Sequence, residues 1–213
     1  MPLETFKKLA ENKQERITAA ALEEFSEKGY FGASINSLVQ RLGIAKGSIF
    51  QYFGDKKGLF LFVFNRSMEM VKEYLRQARD DTRDKDLFTR LEKTLLAGVF
   101  FLKEHPVIYR LYINILFDPK IPFREEILLS LRSYSFDYLK SLLKTAQEQG
   151  EIRSDLDLEV TAFILDALMD RFLQAQMVPH LDAQVGLFQC TEKMATQWVN
   201  QIVSILRKGI ESV

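Results

Sequence analysis

The fold is decided by Ser34–Lys57, SINSLVQRLGIAKGSIFQYFGDKK. Ser34 can cap a helix, because its hydroxyl accepts an orphan backbone N–H. Ile35, Leu38, Val39 and Leu42 follow at i, i+3, i+4 and i+7, one apolar stripe on one helix. Gly43 stands where that helix must end, since glycine tolerates the left-handed cap conformation. Ile44 plugs the turn, and a second helix runs from about Ala45 to Tyr52. Ile49 and Phe53 point back toward the first helix, and Ser48, Gln51 and Tyr52 are expected on the outward face. Two short helices joined by a tight turn form a helix-turn-helix, a device that places one helix in the DNA major groove.

Gly47 is the most telling residue of the second helix. Glycine inside a helix costs about 1 kcal/mol relative to alanine. Close approach of another backbone or of a DNA phosphate is a reason to accept that cost. Gln51 carries a donor and an acceptor suited to an adenine edge. Ser48 can read a base edge or hold a phosphate, whereas Lys46 and Tyr52 suit phosphates, which fix register without carrying sequence information. Asp55 can cap the next helix. Lys56 and Lys57 then oppose its dipole, a conflict that a docked phosphate would offset.

The run from about Arg16 to Lys57, a fifth of the chain, resembles the DNA-binding domain of TetR/AcrR-type transcriptional repressors. Phe25, Gly29, Tyr30, Ser34, the segment from Gly43 to Phe50, Phe53 and Lys56 fall where that family places its signature residues. The resemblance implies DNA contacts by Ser34, Lys46, Gly47, Ser48, Gln51, Tyr52 and Lys56. Phe50 stands where the family often has tyrosine; it can pack on a thymine methyl or belong to the core. Tyr52 stands where the family often has histidine.

The 213 residues carry 29 basic and 29 acidic side chains, a net charge of zero. That argues against a generally basic, nonspecific nucleic-acid binder. The charge is local instead. Ser34–Lys57 holds four basic residues against one acidic, and the chain from Gly58 onward holds 20 against 22. Cys190 is the one cysteine, which fits a reducing cytoplasm. No apolar run approaches the length of a membrane span, residues 1–16 are too polar for a signal peptide, and the composition is that of a soluble globular protein. No metal-ligand spacing, nucleophile–base pair or phosphate-cradling glycine pattern stands out, so neither a cofactor nor an enzymatic activity is expected.

Helical periodicity runs throughout, with no strand pattern. The expected architecture is all-α, a helix-turn-helix domain of residues 1–56 followed by a helical-bundle domain of residues 57–213. Residues 1–11 read as a mobile arm. Further helices are expected at about 12–28, 56–79, 87–104, 107–117, 123–149, 158–177 and 183–207. In the penultimate helix Glu159, Asp166, Asp170 and Gln174 form one polar strip amid apolar residues. Phe163 on that helix, with Trp198, Ile202 and Ile205 on the last, are candidates for a homodimer interface built as a four-helix bundle. A dimer also suits DNA reading, because one short helix covers few base pairs and a palindromic operator supplies the rest.

The resemblance further implies a small-molecule effector pocket in the second domain, with Phe101, Tyr109, Tyr112, Tyr134, Asp170 and Phe172 as candidate contacts. Such a pocket suits an apolar, aromatic or cationic ligand, with Asp166 or Asp170 as a polar anchor. Ordinary core packing of the aromatics, and pairing of both aspartates with Arg171 or a nearby lysine, is the competing reading. The expected function is a repressor released from double-stranded DNA by its ligand. The alternative is a helical binding protein or enzyme whose helix-turn-helix is only structural.

Overall fold

The computed structural model describes residues 3–210 and consists, among those residues, of ten helices and no strand. They are α1 (Glu4–Lys7), α2 (Glu11–Gly32), α3 (Ile35–Leu42), α4 (Lys46–Phe53), α5 (Lys56–Asp80), α6 (Leu87–Glu104), α7 (Pro106–Phe117), α8 (Arg124–Glu148), α9 (Leu158–Met177) and α10 (Glu192–Ile210). The chain divides into two compact units. One comprises the residues up to Lys72 together with His105–Arg124; the other comprises Glu73–Glu104 and the residues from Glu125 onward. No helix is long and apolar enough to cross a membrane.

The first unit is built around aromatic side chains. Phe25 of α2 and Phe60 of α5 meet edge to face at 5.0 Å, and Tyr30 meets Phe123 at 5.1 Å. Asn114 of α7 donates to the Ser26 carbonyl at 2.8 Å, which ties α7 to α2. Residues 1–2 lie outside the described residues, and over residues 3–11 the chain is not the mobile arm expected from the sequence. Phe6 of α1 is buried against Tyr52, Phe53 and Phe62, and the Leu3 N–H donates to the Tyr52 carbonyl at 2.8 Å. Burial of a phenylalanine contributes about 1.5–3 kcal/mol toward holding such a turn in place.

The α3 N-terminus rests on a buried carboxylate. Glu24 of α2 is 5% exposed, accepts the Ser34 N–H at 2.8 Å and pairs with Lys28 at 3.0 Å. Burial alone would raise its pKa. The Ser34 N–H and Lys28 outweigh that, and the carboxyl sits below its ordinary 4.5. Ser34 in turn caps α3, its hydroxyl accepting the Ser37 N–H at 3.3 Å. Arg41 of α3 returns to α2, donating to the Ala20 carbonyl and pairing with Glu23.

The α4–α5 junction depends on a glycine the sequence reading passed over. A Cβ on Gly58 would lie 2.0 Å from the Phe53 carbonyl oxygen, so no side chain fits there. Asp55 caps the same turn, accepting the Gly58 N–H at 2.7 Å. At Gly47, by contrast, a Cβ would meet nothing within 4 Å.

The second unit packs Leu91, Leu95 and Val99 of α6 against Leu143 of α8, Leu165 of α9, and Ala195 and Val199 of α10. Two helices match their expected bounds, α6 and α9. The last helix does not. It begins at Glu192 rather than near residue 183, because Asp182 accepts the N–H groups of Gln184, Gly186 and Phe188 at 3.2–3.3 Å. That side chain offers the backbone an alternative to helix. Ala183, Gln184 and Gln189 accordingly have positive φ values of 50°, 63° and 52°.

These contacts fix two responses, one to added volume and one to acid. In urea unfolding, Gly58→Ala should lose about 1–3 kcal/mol, as overpacking does. Gly47→Ala should instead leave stability unchanged or raise it by up to about 1 kcal/mol. Equal losses at both sites would contradict the packing described. The second concerns acid. A depressed carboxyl pKa stabilises the fold above the unfolded value, and the contribution is lost as pH falls through the lower, folded value. Glu24→Gln should therefore destabilise the protein at neutral pH and flatten the decline in stability below pH 4.5; an unchanged acid limb would remove Glu24 from that role.

Candidate functional site

The eight residues of α4 bury one side. Ile49 is fully buried, and Phe53 and Tyr52 are 5% and 8% exposed. The other side carries Lys46, Gly47, Phe50 and Gln51, all exposed, with Ser48 half-buried between the two. Phe50, at 41% exposure, is thus a surface side chain rather than core. Ala45 precedes the helix with no side-chain cap, which leaves the first N–H groups of α4 without a capping side chain beside exposed Lys46. Helix N-termini with this character attract anions.

Tyr52 and Lys56 depart from their expected places. Tyr52 does not share the outward face; its ring packs edge-on against Phe6 at 5.9 Å, a partner that appears only because α1 folds back. Lys56 is not simply a cation at a helix start. Its ammonium donates to the Phe31 carbonyl at 3.1 Å and lies 5.2 Å from the Tyr30 ring centre. Burial pushes its pKa down, with Glu24 acting the other way. Lys57 lies 5.3 Å from the Phe123 ring centre. The dipole conflict at the start of α5 is thus offset inside the protein by partners of both lysines. Ser34 remains half-buried as the α3 cap.

The six candidate effector contacts do not converge. Phe172 lies in the core of the second unit. Phe101 is buried and meets Tyr74 at 5.1 Å. Tyr109 and Tyr112 belong to α7, in the first unit, their rings 5.6 Å apart. Tyr134 and Asp170 do share a cavity of about 190 Å³ in the second unit, formed by the C-terminal half of α5 with α6, α8 and α9. Asp166 and Asp170 pair not with Arg171 but with Arg132 of α8. The sequence reading missed Arg132 and Ser135, although their i, i+3 spacing on α8 is the counterpart of the α9 polar strip.

Of the candidate dimer residues, Phe163 and Ile205 are 66% and 69% exposed. Phe163 continues an exposed apolar stripe on α9 with Val160 and Ile164. Val160 and Ile164 line a groove with Leu206, Gly209 and Ile210 of α10. Trp198 and Ile202 are half-buried against the core of their own unit.

Residues 17–63 match the family model for bacterial regulatory proteins of the tetR family, and residues 85–211 match that for the tetracyclin repressor-like C-terminal domain. A crystal structure of a TetR family transcriptional regulator from Chloroflexus aurantiacus J-10-FL is similar over 100% of both chains, with 30% identity and a TM-score of 0.76. A putative transcriptional regulator from Pseudomonas aeruginosa PAO1 shares the fold, with 20% identity, a TM-score of 0.74, and 96% and 95% of the two chains covered. The probable acrEF/envCD operon repressor of Escherichia coli K12 is 24% identical over 169 residues, 76% of this chain and 74% of that one. The exposed face of α4 therefore sits on a scaffold of transcriptional regulators rather than enzymes, and the chain belongs to the TetR family.

Proposed function

We propose that this regulator is a homodimeric repressor that binds a palindromic operator through α4 and leaves it when a small molecule occupies the second unit. The outward face of α4 carries this reading. Gly47 has open space around it, and Lys46, Phe50 and Gln51 are exposed beside it although nothing in the fold requires that combination. With no Cβ at Gly47, a sugar-phosphate backbone or base edge can approach the helix closely. Lys46 and the uncapped α4 N-terminus suit a phosphate, Gln51 suits an adenine edge, and Phe50 suits a thymine methyl. Ser34 and Ser48 can donate to phosphates at the margin, and Tyr52 and Lys56 support the helix from behind.

One α4 spans few base pairs, so specificity calls for a second copy. The stripe of Val160, Phe163 and Ile164, with Ile205 on α10, supports pairing of α9 and α10 with their copies. The effector then acts by population shift, favouring a dimer whose two α4 helices are wrongly spaced for successive major grooves.

Selection of duplexes from a random pool by the purified protein tests the reading. It should recover a palindrome; no enriched motif at low salt would contradict it. Gly47→Glu should abolish binding to the recovered duplex while leaving the melting temperature within a few degrees of wild type. A collapse in thermal stability would make Gly47 a packing residue instead. Phe163→Asp combined with Ile205→Asp should halve the sedimenting mass at micromolar concentration. An unchanged mass would place the interface elsewhere.

A further inference from the structure

The cavity of the second unit carries a charge pattern that selects a ligand class. At about 190 Å³ it is smaller than the usual ligand pocket of about 300–1,000 Å³, so it admits one ring or a short chain. Leu75, Leu95, Leu139, Met169 and Leu173 give it apolar walls. Its lining residues include three arginines, Arg76, Arg79 and Arg132, and two aspartates, Asp166 and Asp170.

The two signs are not equally available. Asp166 accepts from Arg132 at 3.4 Å and from the Ser135 hydroxyl at 2.5 Å. Asp170 accepts from Arg132 and from the Gln174 amide, the latter at 2.7 Å. Both carboxylates are thus bonded to donors of the protein itself, and one guanidinium is committed to the pair. Among the described residues the ion pairs of Arg76 and Arg79 are with Glu73 and Asp80, neighbours on their own helix with 67% and 54% of their side chains exposed. Ion pairs between exposed side chains are weak and readily exchanged. Arg76 and Arg79 are three residues apart and so share one face of α5. The phenols of Tyr134 and Tyr138 line the same cavity.

We propose that the cavity takes a small organic acid, its compact apolar or aromatic body held by the leucine and methionine walls and its single anionic head held by Arg79 and Arg76. The acid's head takes the place of the exposed Glu73 or Asp80 carboxylate at one of these guanidiniums, so no new charge is left unpaired inside the cavity. The Tyr134 and Tyr138 hydroxyls supply further donors to a carboxylate. An amine on the same body would meet two carboxylates already bonded to Arg132, Ser135 and Gln174. This assignment deepens the reading of the second unit as effector-binding, and it rests on that reading.

Two series isolate the head group: 3-phenylpropanoate, 3-phenylpropanol and 3-phenylpropylamine, and octanoate, octanol and octylamine. Each is titrated calorimetrically into the full chain at low salt, without DNA. In at least one series the acid should bind about tenfold or more tighter than the alcohol, as a charge-assisted contact does, and the amine should bind weakest. Arg79→Gln should lower the acid's affinity by about tenfold and leave the alcohol's within about twofold. Tightest binding by the amine, binding that ignores the head group, an acid affinity indifferent to Arg79→Gln, or no binding in either series up to about 1 mM would each overturn the proposal. Repeating the titration with the selected duplex separates the two readings. Acid that binds without displacing DNA contradicts the release mechanism alone, whereas failure of the acid to bind a protein that still holds DNA contradicts the cavity assignment alone.

Discussion

The first unit is organised by the one-sided burial of α4. A helix of eight residues is too short to persist by itself. It is held by Ile49 and Phe53 pressed into the unit and by Tyr52 packed on Phe6. Once those three face inward, the helical period leaves Lys46, Gly47, Phe50 and Gln51 facing out. The flanking junctions fix the tilt. Gly58 lets the start of α5 touch the Phe53 carbonyl, and Glu24 receives the start of α3. Each contact is short and intolerant of added volume or lost charge, so the outward face of α4 is set by groups that never reach it.

Charge is used economically in a chain whose formal net charge is zero. Arg41, Lys56 and Lys57 have partners within the first unit, which leaves less positive surface around α4 than a count of residues implies. On the proposed mode of binding, an attraction centred on Lys46 and the α4 N-terminus would give a modest salt dependence, since each released counterion adds to the slope. In the second unit the polar strip of α9 meets α8: Glu159 pairs with Lys140, and Asp166 and Asp170 share Arg132. That seam orients α9 about its axis and leaves the stripe of Val160, Phe163 and Ile164 exposed.

The helices were legible in the sequence wherever periodicity is long and capping residues are clear, as at α6 and α9. The outward positions of Lys46, Gly47 and Gln51 were legible too, because Ile49 and Phe53 fix the inward face. The inward turn of Tyr52 was not, since its partner Phe6 sits in a four-residue helix with no periodic signal. The late start of α10 was hidden because Asp182 captures backbone groups in a segment whose apolar pattern still reads as helix. The cavity was least legible. Aromatic residues look alike whether they fill a core, as Phe172 does, or line a space, as Tyr134 does. The Arg132 pairing joins residues 34 and 38 positions apart, beyond any local pattern.

If the outward face of α4 reads base sequence, duplex selection repeated with Gln51→Ala will show it. The palindrome should persist but lose its preference at one symmetric pair of positions, where the glutamine amide met a base edge. Retention of the wild-type preference at every position would contradict it and move sequence reading away from α4.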